Sequence, residues 1–338
     1  MMNPRTARFA TLLMAFGLSG CSAFNYAEPD SPVSRASATA LTPNPRVALV
    51  LGGSGPREYA QIGVLKVLQA AALEGDLVVG SGVGSLIGAF RAYGYDASDL
   101  DWIARSGGPL TLFDLSPFAD RGWIHGQRLQ DYVSDNLGNA SLEHLPRRLI
   151  VAATPRTDKQ PVFFERGNAA VAIRASSAVP GIISPVGIQG VEYEDADESL
   201  PVAVRAARDA GAQFVIAVDV SARPGKAPPG MSSKTLNRDA RRRARVDPEK
   251  RQADFAIHPD MDYAASPRAS YFRQAQVAGE VAARQLLPDL LETLRSARLL
   301  SAVAVGGDAG QRPTTRSAST PAENTPKNPP LSSKTGRF

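Results

Sequence analysis

The chain has 338 residues, 43% of them hydrophobic, which is enough for one large α/β domain or two small ones. Its net charge of +5 suits contact with anionic surfaces, but no RNA- or DNA-binding motif is present, and we expect no nucleic-acid partner. The one cysteine, Cys21, excludes an intramolecular disulfide.

Residues 1–20 have the pattern of a secretory signal. Two arginines precede an apolar run, and small residues come before Cys21. The ending L-S-G-C resembles the bacterial lipoprotein box, which implies cleavage before Cys21 and acylation of that cysteine. We therefore predict a lipid-anchored protein of the bacterial cell envelope. Because Ser22 rather than aspartate follows the cysteine, we expect the outer membrane, facing the periplasm. A plain signal peptide or an uncleaved anchor is the alternative.

Composition divides the remaining chain into three parts. Residues 21–45 are rich in Ser, Ala and Pro and predict a flexible tether. In residues 46–300, short apolar runs alternate with segments of helical periodicity, which favours a mainly parallel sheet with helices on both faces. Residues 301–338 are dominated by small polar residues and predict a disordered tail. No apolar run after the signal is long enough to span a bilayer.

The candidate site lies where two strands of the stretch 47–94 end. The first strand runs into G-G-S-G-P-R-E at residues 52–58, and the second runs into G-S-G-V-G at residues 80–84, each before a helix. A sharp strand-to-helix turn of the form G-x-?-x-G is where hydrolases place a nucleophilic serine. The central position here is Gly82, so the frame is present without the reacting hydroxyl.

This order of strand, glycine loop, helix, strand and sharp turn resembles the patatin-like phospholipase family. The family's loop reads G-G-G-G-x-R-G and its turn G-x-S-x-G. A separate segment, 174–181, resembles the family's R-A-S-x-x-x-P-G motif. The resemblance covers about residues 46–300. It implies a three-layer α/β/α sandwich, a Ser–Asp dyad without histidine, hydrolysis of lipid acyl esters and no cofactor.

Transfer of the family's site to this sequence leaves three changes. Gly82 takes the place of the nucleophile, Pro56 has no N–H to donate, and Glu58 replaces a glycine where its charge would repel a developing oxyanion. The residues predicted to bind the oxyanion or the substrate are Gly52, Gly53, Gly55 and Arg57.

The family's aspartate precedes a Pro-Val pair, found here at 201–202. Asp195 in Asp195-Ala196-Asp197 is our candidate base, and Asp197 is the second candidate. A solvated acidic loop is the alternative. The segment 192–198 lacks calcium-loop spacing and the three histidines lack zinc-ligand spacing, so we predict no metal site.

The leading hypothesis is a catalytically impaired family member that keeps lipid binding in its cleft or serves as a scaffold for an unidentified protein. The alternative is an active lipid acyl hydrolase with a relocated nucleophile, Ser54, and Asp195 as its base. The Arg-rich segment 222–252 predicts a solvated loop, with a patch against anionic headgroups as the alternative. A long helix is predicted over 268–300, with a kink at Pro288.

Overall fold

The structure is a computed structural model that describes residues 25–106, 112, 114–117, 119–223 and 225–300. The predicted signal peptide, Cys21 and the predicted tail at 301–338 lie outside these residues. Among the described helices, none combines the length and the hydropathy that crossing a membrane requires.

The described strands form one sheet with the order β1-β7-β8-β5-β4-β3-β9-β10, and β6 pairs with both β5 and β2. The pairs from β5 through β4, β3 and β9 to β10 are parallel, whereas β6 and β8 are antiparallel to their neighbours. The strands are β1 (Asn25–Tyr26), β2 (Ser34–Arg35), β3 (Val47–Leu51), β4 (Leu77–Gly80), β5 (Arg148–Pro155), β6 (Val162–Phe164), β7 (Val186–Ile188), β8 (Val191–Glu194), β9 (Phe214–Val218) and β10 (Phe255–Ile257).

Helices cover both faces of this sheet. The described α-helices are α1 (Ala60–Ala70), α2 (Val83–Tyr93), α3 (Ala97–Ser106), α4 (Gln127–Leu137), α5 (Ala169–Ser176), α6 (Val204–Asp209), α7 (Ser233–Lys250) and α8 (Ala269–Ser296). Short 3₁₀ turns occur at Gly55–Tyr59, Leu142–His144 and Ala196–Glu198.

The central strands are buried on both sides because alternate side chains enter two cores. In β3, Val47, Leu49 and Leu51 belong to the core shared with α1, α2, α5 and α8. Ala48 and Val50 belong to the core shared with α6. A period of two residues along a strand produces this division, and a parallel sheet covered on both faces favours the continuous apolar run. The predicted α/β/α sandwich is therefore confirmed.

The prediction of a flexible tether does not hold for the described part of residues 21–45. β1 pairs in parallel with β7, and β2 pairs with β6. The Tyr26 hydroxyl donates to Gln130 Oε1 at 2.6 Å and accepts from Arg174 Nη1 at 2.9 Å. These bonds fix a segment whose composition alone favours disorder.

The prediction of a solvated loop over 222–252 is wrong from Ser233 onward, since α7 runs from Ser233 to Lys250. Ser232 caps it by accepting the Thr235 N–H at 3.3 Å. Arginine, lysine and alanine favour helix, and the few side chains that α7 buries include Val246 and Glu249. The predicted long helix is confirmed as α8, which continues through Pro288.

Helices α1 and α8 touch through glycine. A Cβ atom at Gly63 would lie 1.9 Å from the carbonyl oxygen of Gln276, and one at Gly279 would lie 1.9 Å from that of Ala60. In both cases the clashing atom is a backbone oxygen, so a side chain could be accommodated only if one helix moved as a whole.

We expect Gly63→Ala to lower the free energy of unfolding by about 1–3 kcal/mol, the usual cost of overpacking. Helix propensity alone would stabilise the alanine variant by about 1 kcal/mol. A loss of stability would therefore show that the close contact between the two helices outweighs propensity. Urea unfolding measures it. The control is Val277→Ala on the exposed side of α8, which we expect to change stability by less than about 0.5 kcal/mol. A stabilised Gly63→Ala protein would contradict the close approach.

Candidate active site

The sharp turn between β4 and α2 keeps the backbone shape that lifts a nucleophile above a sheet. Gly82 has φ 60° and ψ −139°, a conformation that is strained for any residue with a side chain. Its N–H donates to Ser176 Oγ at 3.0 Å, and its carbonyl accepts from Ser177 Oγ at 3.2 Å. Both serines belong to the R-A-S motif, so this motif supports the turn directly.

Asp195 lies beside the position that a side chain at residue 82 would take. A Cβ atom on Gly82 would lie 3.3 Å from Asp195 Oδ1. The carboxyl is buried and accepts the Asp197 N–H at 2.8 Å, while the Asp195 N–H donates to the Ala178 carbonyl at 3.0 Å. Burial, and then the charge of Asp197, raise the pKa of Asp195 well above its ordinary value.

Asp197, the second candidate base, faces a different partner. Its Oδ2 lies 2.6 Å from Nη1 of Arg242, and Nη2 of the same arginine donates to the Gly53 carbonyl. Its Oδ1 packs against Gly53, where a Cβ would lie within 2.1 Å of it. Of the two aspartates, the geometry therefore brings Asp195 to the turn. Arg242 was missed by sequence reasoning, because nothing distinguishes it within the arginine run of α7.

Glu58 fills the space between the glycine loop and the turn. Its Oε1 accepts the N–H of Gly55 at 2.7 Å and also the N–H of Ser54. The same oxygen would lie 3.3 Å from a Cβ at Gly82. The side chain is 1% exposed, and its Oε2 has no hydrogen-bond partner among the described residues. Burial, followed by the charge of Asp197, raises the pKa of Glu58 well above 4.5.

The other predicted loop residues use their donors elsewhere. The Gly52 N–H donates to the Val218 carbonyl at 3.1 Å, and the Gly53 N–H donates to the Pro201 carbonyl at 2.8 Å. These two N–H groups are therefore not directed at an oxyanion, contrary to the prediction. The next two N–H groups of the loop, those of Ser54 and Gly55, both donate to Glu58 Oε1.

Arg57 and Ser54 form a separate pair at the edge of the loop. Arg57 Nη2 donates to the Tyr263 carbonyl, and Nη1 lies 3.4 Å from Ser54 Oγ. Burial lowers the pKa of Arg57. The partner recorded for the Ser54 hydroxyl is thus a guanidinium and not a carboxylate, so the structure does not bring Ser54 and Asp195 together as nucleophile and base.

An apolar groove adjoins the turn. Its lining includes Tyr59, which follows Glu58, and Val83, which follows Gly82. Further along α2 it includes Leu86, Ile87 and Phe90. A groove lined by aliphatic and aromatic side chains suits an apolar group such as part of an acyl chain.

The first two glutamates of the acidic segment 192–198 form ion pairs with arginine side chains. Glu192 pairs with Arg156 at 2.9 Å and with Arg121, and Glu194 lies 3.3 Å from Arg156. Within the described residues, no group of three acidic, histidine or cysteine side chains could hold a metal ion.

Comparison with known proteins points to the same family that the sequence motifs resemble. Residues 49–200 match the family model described as patatin-like phospholipase. An NTE-family protein of Mycobacterium tuberculosis is 32% identical over 203 residues, which are 59% of this chain and 56% of that protein. Lysophospholipase NTE1 of Scheffersomyces stipitis is 28% identical over 193 residues, 55% of this chain and 12% of that protein. The chain thus spans about half, or less, of these relatives.

Among solved structures, VipD from Legionella pneumophila superposes with a TM-score of 0.47 and 13% identity, covering 82% of this chain and 73% of that one.

Proposed function

Because residues 49–200 form a domain of the patatin-like phospholipase family, we propose that the chain binds a lipid acyl chain in the apolar groove without cleaving it. The groove and the turn are consistent with descent from a lipid hydrolase. The printed name of lysophospholipase NTE1 makes a lysophospholipid the first ligand to test. We also propose that acylated Cys21 anchors the protein at the outer membrane, facing the periplasm.

One observation carries the loss of hydrolysis. The Ser54 and Gly55 N–H groups both donate to Glu58 Oε1, and residue 82, at the apex of the turn, carries no hydroxyl. Acyl transfer requires a nucleophile, a base and free donors for the oxyanion. Removing a single oxyanion donor already costs about 10²–10³ in rate. With the donors occupied and the nucleophile absent, hydrolysis lacks two of its three requirements.

The test measures binding and turnover on the same preparation of the full chain in detergent. We expect lysophosphatidylcholine to bind and to remain intact, with ester release no faster than for Asp195→Asn. Leu86→Arg places a charge in the groove and should weaken binding by at least about tenfold, the loss expected from burying an unpaired charge. The control Val277→Arg places the same charge on exposed α8 and should leave binding unchanged.

Turnover that Asp195→Ala abolishes would overturn the proposal and favour the active hydrolase. In that case Ser54→Ala would show whether Ser54 is the nucleophile. Absence of binding, or binding that Leu86→Arg does not weaken, would remove the groove as the lipid site.

A further inference from the structure

Three large apolar side chains are exposed on backbone segments that pair with one another. Leu115 is 78% exposed, Trp123 is 70% exposed and Ile182 is 50% exposed. They lie on neighbouring extended segments, because Leu115 pairs with Ile124 in a β-bridge and the Trp123 N–H donates to the Ile182 carbonyl at 2.9 Å. We call these three residues the apolar patch.

Asp114, next to Leu115, accepts the N–H groups of Gly126 at 2.7 Å and Gln127 at 2.8 Å, and the charges that precede Trp123 are paired with one another. Arg121 bonds both Asp120 and Glu192, so this segment does not carry an isolated charge beside Trp123. A tryptophan flanked by aliphatic side chains and neutralised charges is typical of a surface that enters the boundary between headgroups and acyl chains.

The chain enters the described domain next to this patch. β1 pairs in parallel with β7, with Asn25 opposite Gly187 and Tyr26 opposite Ile188. Because the pairing is parallel, the N-terminal end of β1 lies at the same end of the pair as the N-terminal end of β7, which Ile182 precedes in the chain. The Tyr26 carbonyl accepts the Gln189 N–H at 2.8 Å, and the Tyr26 hydroxyl is bonded to Gln130, so the entry point is fixed.

Asn25 follows Cys21 by four positions, since 25 − 21 = 4. An extended chain of this length reaches at most about 14 Å. An acyl chain on Cys21 would therefore hold the entry point of β1 within that distance of the bilayer surface. Such a short link would limit how far the domain could move or rotate away from the bilayer.

We propose that the apolar patch docks on the bilayer to which Cys21 is anchored, with Trp123 at the headgroup boundary. This rests on the acylation proposed above. Removal of the large apolar side chains from water favours docking, and the anchor removes most of the entropic cost of bringing the patch to the surface. Docking fixes the orientation of the domain on the membrane.

The experiment uses the fact that the chain has two tryptophans, Trp102 and Trp123. The full acylated chain carrying Trp102→Phe is reconstituted into phosphatidylcholine vesicles, so that Trp123 is the single reporter. Some vesicles contain phospholipid brominated on the upper part of its acyl chain, which quenches nearby indoles. We expect the emission of Trp123 to shift to shorter wavelength and to lose intensity in the brominated vesicles.

The control carries Trp102→Phe, Trp123→Phe and Val277→Trp. Val277 is also exposed, but it lies on α8, which packs with α1 and next to β10 at the opposite edge of the sheet. We expect the indole at position 277 to be unquenched. Protein that floats with the vesicles while Trp123 is no more quenched than this control would overturn docking and leave anchoring intact. Protein that does not float would overturn the anchor and, with it, the docking.

Discussion

Gly82→Ser alone is expected to stay unreactive toward a fluorophosphonate, whereas Gly82→Ser combined with Glu58→Gly is expected to be labelled at the new serine. We expect the double variant to react about 10²–10³-fold faster than the single variant, the usual value of an oxyanion donor. The reason is that serine at the turn restores the nucleophile, but the donors become free only when the Glu58 carboxyl is removed.

Space at the turn supports the same expectation. A Cβ at residue 82 would lie 3.3 Å from Glu58 Oε1 and 3.3 Å from Asp195 Oδ1. A serine oxygen would therefore be confined between two carboxyls, both with raised pKa, in a conformation costing about 1–3 kcal/mol for a residue other than glycine. Glu58→Gly leaves Asp195 as the single carboxyl beside the hydroxyl.

Labelling is followed by mass spectrometry of the adduct. Glu58→Gly alone is the matched control, because it frees the donors without supplying a nucleophile and should stay unlabelled. The triple variant that adds Asp195→Asn should lose the reactivity that the double variant gains. Equal labelling of Gly82→Ser with and without Glu58 would show that Glu58 does not occupy the oxyanion donors.

Glu58→Gln is expected to raise the melting temperature by a few degrees at pH 8 and by much less at pH 4.5. Burial raises the pKa of Glu58 in the folded protein above its ordinary value of 4.5. Between pH 4.5 and the folded-state pKa, the folded state therefore binds more protons than the unfolded state. Stability is therefore lost as the pH rises from 4.5 toward the folded pKa. An amide keeps an oxygen for the two N–H donors and removes the charge.

The control for this pH dependence is Glu192→Gln. The ion pairs with Arg121 and Arg156 lower the pKa of Glu192, so its contribution is present above pH 4.5 and is lost as the pH falls through the folded pKa. We expect this variant to lose stability near pH 7, the opposite sign. Thermal unfolding between pH 4 and pH 8 gives both curves. A Glu58→Gln protein whose gain does not grow with pH would contradict a raised pKa.

Much of the site followed from local sequence. The turn at Gly82, the glycine loop and the aspartate segment each resemble a motif, and parallel strands bring their carboxyl ends together at one edge of a sheet. The sequence placed Asp195 ahead of Asp197 as the candidate base, and the structure adds the reason that Asp197 faces Arg242.

Other features could not be predicted because they depend on distant contacts. The replacement of glycine by Glu58 suggested repulsion, but its bonds to the Ser54 and Gly55 N–H groups required the shape of the 3₁₀ turn. The composition of residues 25–45 favours disorder, yet β1 is held by Gln130 and Arg174 from the middle of the chain. Helix α7 lacks an apolar stripe, so periodicity did not reveal it.

Reaction of the unmodified full chain with a fluorophosphonate, followed by mass spectrometry of every serine peptide, tests the loss of the nucleophile most directly. We predict no adduct on any serine, including Ser54, at concentrations that fully label the Gly82→Ser and Glu58→Gly double variant. An adduct on Ser54, lost in Asp195→Asn, would contradict this account and identify a working hydrolase with a relocated nucleophile.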